Sequence, residues 1–466
     1  MLRSPQNLGI IHFIGIGGIG MSGIAEILHQ SGYHVQGSDI SQSKNTERLT
    51  KLGIKIFLNQ KKSNITNTKI VVVSTAISES NEELKVAKKL HIPIVHRSEM
   101  LGELMRLKQS IAIAGTHGKT TTTSLIAKMI EENGMDPTII NGGIISSLDS
   151  NARLGKGEWM VVEADESDGS FAKLNPTAAV ITNIDLEHLD YHKTEENLLS
   201  AFQNFILSIP FYGFACLCID HPRVQKLISK LDNKKVISYG LSANADIRAT
   251  NITYENNKMK FKLQSPISDS FEIEFSMIGK HNIQNALATI AVGIELNIPL
   301  LKIKDTLKHF TGVERRFQKV GNFKNALIID DYGHHPVEIS SALAASRLIA
   351  PNNKIISIFQ PHRYTRLRDL FDEFCSCFND ADYVFLMDVY PAGEKPISKF
   401  ESIDLEHGLY KYGHKNVSYI KNEQDILKPL LEIIKPNDII ICLGAGTITK
   451  FANKLEENLN NELQSI

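Results

Sequence analysis

A short apolar run, a glycine turn and a helical pattern follow one another in three segments of this 466-residue chain. The segments open with the apolar runs Ile10 to Ile14, Ile111 to Ala114 and Ala326 to Ile329. Strands that alternate with helices in this way form mostly parallel sheets covered by helices. The pattern therefore predicts an α/β fold, and at roughly 150 residues per domain the length predicts about three domains.

Residues 245 to 277 show a different periodicity. Apolar Met259, Phe261 and Leu263 alternate with polar residues, and positions 271 to 277 repeat the alternation. A period of two is typical of strands that have one buried face. We expect antiparallel strands inserted into the second segment, with Asn256-Asn257 as the turn between two of them. A helix is predicted next, from about 282 to 296.

Composition argues against several classes of protein. Lys and Arg number 51 and Asp and Glu number 52, a balance that disfavours a nucleic-acid-binding surface. No apolar run reaches the ~18 residues of a membrane helix, and glycines break the apolar stretch after Arg3 that loosely imitates a signal peptide. The five cysteines lack C-x-x-C spacing and are predicted to be buried, reduced thiols. We therefore expect a cytoplasmic protein that does not insert into membranes.

A glycine-rich loop follows the first predicted strand. It matches G-x-G-x-x-G and contains Gly15, Gly17, Gly18 and Gly20. Glycines at these positions let the backbone approach a diphosphate at the N-terminus of the next helix. Asp39 lies 19 residues after Gly20 (39 − 20) and fits the same fingerprint. The loop alone favours an NAD-dependent oxidoreductase or a nucleotide-binding sensor, although any nucleoside diphosphate satisfies it.

The second loop is a stronger signal. It reads Gly115-Thr116-His117-Gly118-Lys119-Thr120, and Thr121 continues it into a helix. Backbone N–H groups of such a loop can cradle phosphate oxygens, Lys119 can reach the β- and γ-phosphates of ATP, and the Thr120 hydroxyl can bind Mg²⁺. Ile113 stands where the usual P-loop, G-x-x-x-x-G-K-[ST], has its first glycine. This departure indicates a different family of ATP-using proteins.

Acidic and imidazole side chains follow two more strands of the second segment. Glu163 opens the motif E-A-D-E, and carboxylates at such strand ends commonly hold Mg²⁺. For Asp165 and Glu166 the residues leave two roles open, either support of the metal ligands or a solvated position. His188 belongs to N-I-D-x-E-H-L-D after another strand, and His192 follows four residues later. The residues alone favour a surface position for either histidine; within a metal-dependent family, His188 is the candidate Mg²⁺ ligand and His192 is predicted to be structural.

Six motifs occur in one specific order: G-T-H-G-K-T-T-T, E-A-D-E, N-I-D-x-E-H-L-D, G-K-H-N-I-Q-N, E-R-R-F and D-D-Y-G-H-H-P. Over essentially its full length the chain resembles the Mur ligases, ATP-dependent amino-acid ligases that build the peptidoglycan peptide. The resemblance implies three domains. These are a Rossmann-like UDP-sugar-binding domain at 1–108, a central P-loop-type ATP-binding domain with a small antiparallel sheet at 109–311, and a Rossmann-like amino-acid-binding domain at 312–466.

The resemblance also implies an activity. The chain would join L-alanine to the lactyl carboxylate of UDP-N-acetylmuramate through an acyl phosphate, with ATP as co-substrate and Mg²⁺ as cofactor, and would release ADP and phosphate. It would act on small molecules alone, in the cytoplasm, as a monomer or weak homodimer. The alternative is a related ligase that attaches a murein peptide to the same nucleotide sugar. That group tends to carry an F-A-H-H-P-like motif where this chain has the residues Tyr332-Gly-His-His-Pro.

Site residues follow from the resemblance by matching motifs. The catalytic group would be Lys119, Glu163 and His188, and the metal ligands would be Thr120, Glu163 and His188. ATP would also contact loop residues 115–121 and Asn282, Asn285, Arg316 and Asp331. The UDP diphosphate would lie on Gly15, Gly17, Gly18 and Gly20. L-alanine would meet Tyr332, His334, Arg363 and Arg366, of which the two arginines are three apart at a predicted helix start.

Overall fold

The computed structural model of the chain describes residues 8–145, 150–167, 169–187 and 189–465. They form two compact units. The first holds the described residues of Met1–Ile252, Lys260–Ser276 and Gln284–Thr311; the second holds those of Thr253–Met259, Met277–Ile283 and Gly312–Ile466. Three sheets covered by helices run through the chain, in the order in which the segments were predicted. The α/β prediction is confirmed.

The first sheet is built from the N-terminal segment. Its strands are β1 (Ile10–Ile14), β2 (His34–Ser38), β3 (Lys55–Phe57), β4 (Thr68–Val73) and β5 (Ile94–His96), and its helices are α1 (Ile19–Gln30), α2 (Lys44–Lys51), α3 (Glu82–Lys89) and α4 (Arg97–Met105). All five strands are parallel, in the order β3-β2-β1-β4-β5. The order reverses between β1 and β4, and ligands of open α/β sheets bind at the carboxyl ends of strands at such a reversal.

The second sheet has ten strands. They are β6 (Gln109–Ala114), β7 (Thr138–Ile145), β8 (Ser150–Arg153), β9 (Trp159–Glu163), β10 (Ala178–Ile181), β11 (Phe214–Cys218), β12 (Val236–Gly240), β13 (Ile247–Glu255), β14 (Lys258–Ser265) and β15 (Ser268–Phe275). The helices are α5 (Lys119–Glu132), α6 (Leu189–His192), α7 (Glu195–Leu207), α8 (Pro222–Ile228), α9 (Lys280–Glu295) and α10 (Leu300–His309). The strand order is β15-β14-β13-β12-β11-β10-β6-β9-β7-β8.

Two local predictions meet different outcomes in this sheet. Asn256 and Asn257 form the predicted turn between β13 and β14, with φ angles of 53° and 59°, as a two-residue hairpin turn requires. Gln109 and Ser110 are polar and follow a predicted helix, so the sequence predicts a joint there, before the strand expected from Ile111; this prediction is wrong. They begin β6, because their backbones pair with Trp159 and Met160 of β9. A polar side chain at a strand end does not prevent the backbone from joining the ladder.

The third sheet lies in the second unit. Its strands are β16 (Gln318–Phe323), β17 (Ala326–Asp331), β18 (Ile355–Phe359), β19 (Tyr383–Leu386), β20 (Val417–Tyr419) and β21 (Ile439–Leu443). Its helices are α11 (Pro336–Ile349), α12 (Tyr364–Asp369), α13 (Phe371–Ser376), α14 (Ser402–Lys411), α15 (Leu427–Ile433) and α16 (Ile448–Ser465). The order is β16-β17-β21-β18-β19-β20, with β16 antiparallel to β17 and the other pairs parallel.

Helix α1 of the first sheet packs against β7 and β8 of the second. Its Ile24 shares one buried apolar cluster with Ile140 and Ala152 of those strands. A Cβ at Gly23 would lie 3.0 Å from the Asn151 side chain, and the Asn151 amide donates to the Ile19 carbonyl at 2.6 Å. The first two sheets therefore share a core inside the first unit.

Two predictions from composition concern the state of the cysteines and the presence of membrane-spanning helices. All five cysteines are free and buried, which confirms the prediction of reduced thiols in the interior. Across the described ranges, no helix combines the length and the apolar character needed to cross a lipid bilayer.

Candidate active site

The second glycine loop connects β6 to α5, and its two glycines have backbones that other residues rarely adopt. Gly115 has φ +132° and Gly118 has φ +82°. A Cβ at Gly115 would collide with the Thr182 hydroxyl, and one at Gly118 would lie 2.7 Å from Asn285 Oδ1. Only glycine avoids both the backbone strain and the collisions. The loop is thus tightly seated between β10 and helix α9.

The segment after β10 braces this loop through hydrogen bonds. Asn183 Oδ1 accepts from the His117 N–H at 2.8 Å, and Asn183 Nδ2 donates to the His117 carbonyl at 3.0 Å. The Asp185 N–H donates to Thr116 Oγ1 at 2.8 Å. No role was predicted for Asn183 or Asp185 of this N-I-D motif. The structure shows that they hold the loop in shape.

Lys119 is the first residue of α5 and points back into its own loop. Its Nζ donates to the carbonyls of Gly115 and Thr116 at 2.5 and 3.0 Å and to Glu166 Oε1 at 3.0 Å. Burial alone would lower the pKa of Lys119, but the carboxylates of Glu166, Glu163 and Asp165 raise it above its ordinary value. Lys119 therefore stays an ammonium group.

Glu166 is a buried partner of Lys119, which answers the question that the sequence left open. Its side chain is only 3% exposed. Burial raises the pKa of Glu166 to about 7, against the opposing pull of the Lys119 charge. His192 is buried too, and its Nε2 lies 3.0 Å from the Glu166 carbonyl oxygen. This position agrees with the structural role expected for His192.

Glu163 ends β9, beside β6 in the sheet. Its Oε2 accepts from the Gly142 N–H at 2.8 Å, and a Cβ at Gly142 would collide with the carboxylate. Thr120 and Thr121 are buried in the first turn of α5. A half-exposed carboxylate and a threonine hydroxyl are hard oxygen donors of the kind that Mg²⁺ prefers, so these residues fit that ion. The third predicted ligand, His188, lies outside the described residues.

The Asp185 carboxylate contacts two histidines, of which His117 belongs to the loop and His221 does not. Its carboxylate lies 3.3 Å from His117 Nε2 and 3.1 Å from His221 Nε2. Burial would raise the pKa of Asp185, but the hydrogen bonds from the two imidazoles outweigh burial and hold that pKa well below its usual range. The charged form of Asp185 is therefore part of the native structure.

The first glycine loop, between β1 and α1, is organised by β2. The N–H groups of Gly15 and Ile16 donate to the Ser38 carbonyl at 2.8 and 3.0 Å. The Gly17 N–H donates to Asp39 Oδ2 at 2.8 Å. The role of Asp39, which the sequence left open, thus includes holding the loop, and Gly17 allows the close approach because a Cβ there would lie 2.8 Å from the same oxygen.

Asn282 and Asn285 both lie on α9 and are both buried. Asn285 accepts a hydrogen bond from Thr122 Oγ1 at 3.1 Å and lies against Gly118. Asn282 donates to the Ile278 carbonyl at 2.8 Å. Asn285 is therefore next to the second glycine loop, while the predicted ATP contacts of both residues stay predictions.

In the second unit, Asp331 ends β17 and accepts from the N–H groups of Phe317 and Gly333, both at 2.7 Å. Burial raises the pKa of Asp331 to about 6. Arg316 lies 3.7 Å from Glu338 and stacks over the Tyr332 ring, with its guanidinium carbon 5.1 Å from the ring centre. Contacts within the second unit therefore hold the side chains of Asp331 and Arg316 in place.

Three of the four residues assigned to L-alanine gather around His362. The rings of Tyr332 and His334 are 5.2 Å apart, and those of His334 and His362 are 5.8 Å apart. Arg366 Nη1 donates to the His362 carbonyl at 3.2 Å and lies 3.4 Å from its Nδ1. Arg363 is exposed, with φ 71° at the start of α12.

His362 was not among the predicted site residues, although it lies next to Arg363 and follows the end of β18. Burial, and then the neighbouring His334, Arg366, Arg363 and Arg315, lower the pKa of His362 to about 3. The imidazole is therefore neutral and can accept a hydrogen bond from Arg366. The structure gives Arg366 an anchor that its helical spacing from Arg363 did not predict.

A lysine-bearing glycine loop, strand-end carboxylates and three α/β sheets define the class of ATP-dependent Mur ligases, and the chain belongs to this family. Family models described as "Mur ligase family, catalytic domain", "Mur ligase middle domain" and "Mur ligase, glutamate ligase domain" match residues 10–109, 113–293 and 315–446. The domain boundaries after residues 108 and 311 stay a prediction.

The chain is similar to particular members of the family. It is 51% identical over 465 residues to UDP-N-acetylmuramate--L-alanine ligase of Rhodospirillum rubrum, covering 98% of this chain and 96% of that protein. It is 50% identical to the enzyme of the same name from Parvibaculum lavamentivorans, with 98% and 94% covered. A crystal structure of UDP-N-acetylmuramate-alanine ligase from Thermotoga maritima matches with a TM-score of 0.82, 28% identity and 98% and 99% covered.

The fold is shared more widely. A murein peptide ligase from Psychrobacter arcticus matches with a TM-score of 0.70 at 21% identity, over 97% of this chain and 99% of that one. At that identity the match shows a common fold alone.

Proposed function

We propose that this chain is an ADP-forming ligase that joins L-alanine to the lactyl carboxylate of UDP-N-acetylmuramate. The observation that carries the proposal is the position of Lys119, a largely buried ammonium group in a glycine loop between β6 and α5, beside Glu163 and Glu166. The relatives at about half identity over nearly the whole chain bear the name of this reaction. We place the reaction in the cytoplasm and expect a monomer or weak homodimer.

The chemistry requires an activated carboxylate, because hydroxide is too poor a leaving group for direct attack by an amine. In the first step a carboxylate oxygen of UDP-N-acetylmuramate attacks the γ-phosphorus of ATP, the bond to the β-phosphate oxygen breaks, and ADP leaves. Lys119 lowers the repulsion between the two anions. Loop N–H groups position the phosphates.

In the second step the neutral amine of L-alanine attacks the acyl carbon. The tetrahedral intermediate expels phosphate, the amide forms, and the nitrogen loses a proton. Tyr332, His334 and Arg366 are the proposed binding group for L-alanine, with Arg363 beside them. A guanidinium matches a substrate carboxylate through paired donors.

We propose Mg²⁺ as the cofactor, with Thr120, Glu163 and His188 as its protein ligands. When bound, Mg²⁺ would supply positive charge to the phosphate oxygens. Glu163 is held in place by the Gly142 N–H, and Thr120 by its position in the first turn of α5.

The experiment is an ADP-release assay with the purified chain and Mg²⁺. ADP should appear only when UDP-N-acetylmuramate and L-alanine are both present, and NADH absorbance should not change. Release that depends on a murein peptide in place of L-alanine would favour the related peptide ligase. A change in NADH absorbance would point instead to an oxidoreductase.

A further inference from the structure

Arg97 lies at the same edge of the first sheet as the first glycine loop. It is the first residue of α4, directly after β5. The strand ends of a parallel sheet that precede the helices all lie along one edge, and only β4 separates β5 from β1. His96 and Glu99 cap the start of α4, with a reciprocal pair of hydrogen bonds to its first turn. The backbone that carries Arg97 is therefore fixed.

The Arg97 side chain crosses the last glycine of the loop. A Cβ at Gly20 would lie 2.5 Å from Arg97 Nη1 and 3.2 Å from its Cδ. Any other residue at position 20 would push the guanidinium away from the start of α1. Gly20 was expected to make room for a diphosphate; it also makes room for an arginine.

The donors of Arg97 are only partly used. Its Nη2 donates to Asp165 Oδ2 at 3.0 Å, and the side chain is 21% exposed. Within the described part of the chain, Nη1 and Nε have no acceptor, nor do the N–H groups of Ile19 and Gly20. A guanidinium offers five N–H donors and binds phosphate oxygens in pairs. A cation with unused donors thus lies at the loop assigned to a diphosphate.

Asp165 gives Arg97 a fixed position and a charge partner. Asp165 Oδ2 lies 3.0 Å from Arg97 Nη2, so a carboxylate and a guanidinium of opposite charge contact each other directly. Asp165 holds one end of the guanidinium and leaves the end over Gly20 open. This explains why a residue of the E-A-D-E motif contacts a residue of the first sheet.

We propose that Arg97 binds the diphosphate of the sugar nucleotide directly, with its Nη1 end, while Asp165 holds its Nη2 end. The inference rests on the proposed function, because that function supplies the ligand. The lactyl carboxylate is the other anion of the same substrate, and a test must separate the two.

The test compares calorimetric binding of UDP, which has the diphosphate alone, and of UDP-N-acetylmuramate, which has both anions. Arg97→Ala in the full chain should weaken binding of both ligands by the same factor, about tenfold to 100-fold for a lost charge-assisted pair. Arg97→Lys should recover part of the loss, because it keeps the charge without the fork. Arg106→Ala is the matched control and should bind as the wild type does, because Arg106 is exposed and pairs with Glu103 near the end of the same helix.

Asp165→Asn separates ligand contact from the ion pair. It breaks the charge partnership but leaves Arg97, so UDP affinity should stay within a few fold of the wild type. Equal losses in Arg97→Ala and Asp165→Asn would overturn the inference, and so would a loss confined to UDP-N-acetylmuramate or no loss at all. Failure of the wild type to bind either ligand would overturn the proposed function itself. Thermal melting of the ligand-free variants checks that each is folded.

Discussion

At a pH above the raised pKa of Glu166, which is about 7, replacing Glu166 with glutamine removes the charge that holds Lys119 in the ligand-free protein. Lys119 Nζ now contacts Glu166 Oε1 at 3.0 Å and Oε2 at 2.9 Å, with both side chains largely buried. Lys119 is also the group proposed to reach the ATP phosphates. Glu166 and the phosphates then compete for the same ammonium group, and we expect Glu166→Gln to bind ATP more tightly than the wild type.

The size of the effect follows from one charge-assisted hydrogen bond. Such a bond contributes about 1.5–3 kcal/mol. If Lys119 leaves Glu166 when ATP binds, the free variant loses this energy and the complex does not. At 1.4 kcal/mol per factor of ten, the ATP dissociation constant should fall by about 10- to 150-fold. The free variant should also melt at a lower temperature, and saturating ATP should restore most of the difference.

Titration calorimetry with a non-hydrolysable ATP analogue measures this change directly. Glu103→Gln is a suitable control, because Glu103 is exposed and its partner Arg106 is exposed as well; its affinity for the analogue should match that of the wild type. Unchanged or weaker binding by Glu166→Gln would refute the reasoning, since it would mean that Lys119 keeps Glu166 as its partner in the complex.

Three further predictions concern other parts of the molecule. Lys119→Ala should lower the ligation rate by 10²-fold or more while calorimetry shows nearly normal binding of UDP-N-acetylmuramate, because Lys119 lies on the second glycine loop and not on the first. Arg366→Lys should raise the KM for L-alanine by roughly tenfold, the loss of one charge-assisted bond, and leave the KM for ATP unchanged in steady-state kinetics; a lower melting temperature with an unaltered alanine KM would contradict this. Asp185 has a depressed pKa, so its contribution to stability is present above the unfolded-state pKa of about 3.9 and is lost as the pH falls below that value. In a denaturation series, the free energy of unfolding of Asp185→Asn should therefore fall less steeply at low pH than that of the wild type. An unchanged slope at low pH would count against the imidazole–carboxylate contacts.

The glycine loops and strand ends were predictable because their signals are local. A buried run, a glycine with positive φ and a helix start are adjacent in sequence, so β6, Gly115 and α5 could be placed without knowledge of the rest of the fold. The antiparallel strands β13 to β15 were predictable for the same reason, since their period of two is continuous. Strand β16 was missed because Gln318, Lys319 and Asn322 give it no comparable alternation.

The contacts between motifs were not predictable from the residues. Lys119 and Glu166 are 47 residues apart, and Arg97 and Asp165 are 68 apart. Each side chain alone is compatible with a solvated position, and only the strand order brings the pairs together. For the same reason His362 was missed: its role depends on the rings of other strand ends, and its own neighbours in sequence gave no sign of it.

The shared core between α1 and the β7–β8 strands has a consequence for synthesis on the ribosome. Arg48 of α2 pairs with Glu26 at 2.9 Å and donates to Ser150 and Asn151 of β8, so even the second helix of the chain is anchored by β8. When residue 108 has been translated, α1 still lacks this cover. Translation must proceed another 45 residues (153 − 108) to reach the end of β8 at Arg153, roughly 2–9 s at 5–20 residues per second. During that interval the face of α1 that packs on β7 and β8 has no cover, so we expect residues 1–108 expressed alone to aggregate more readily than the full chain.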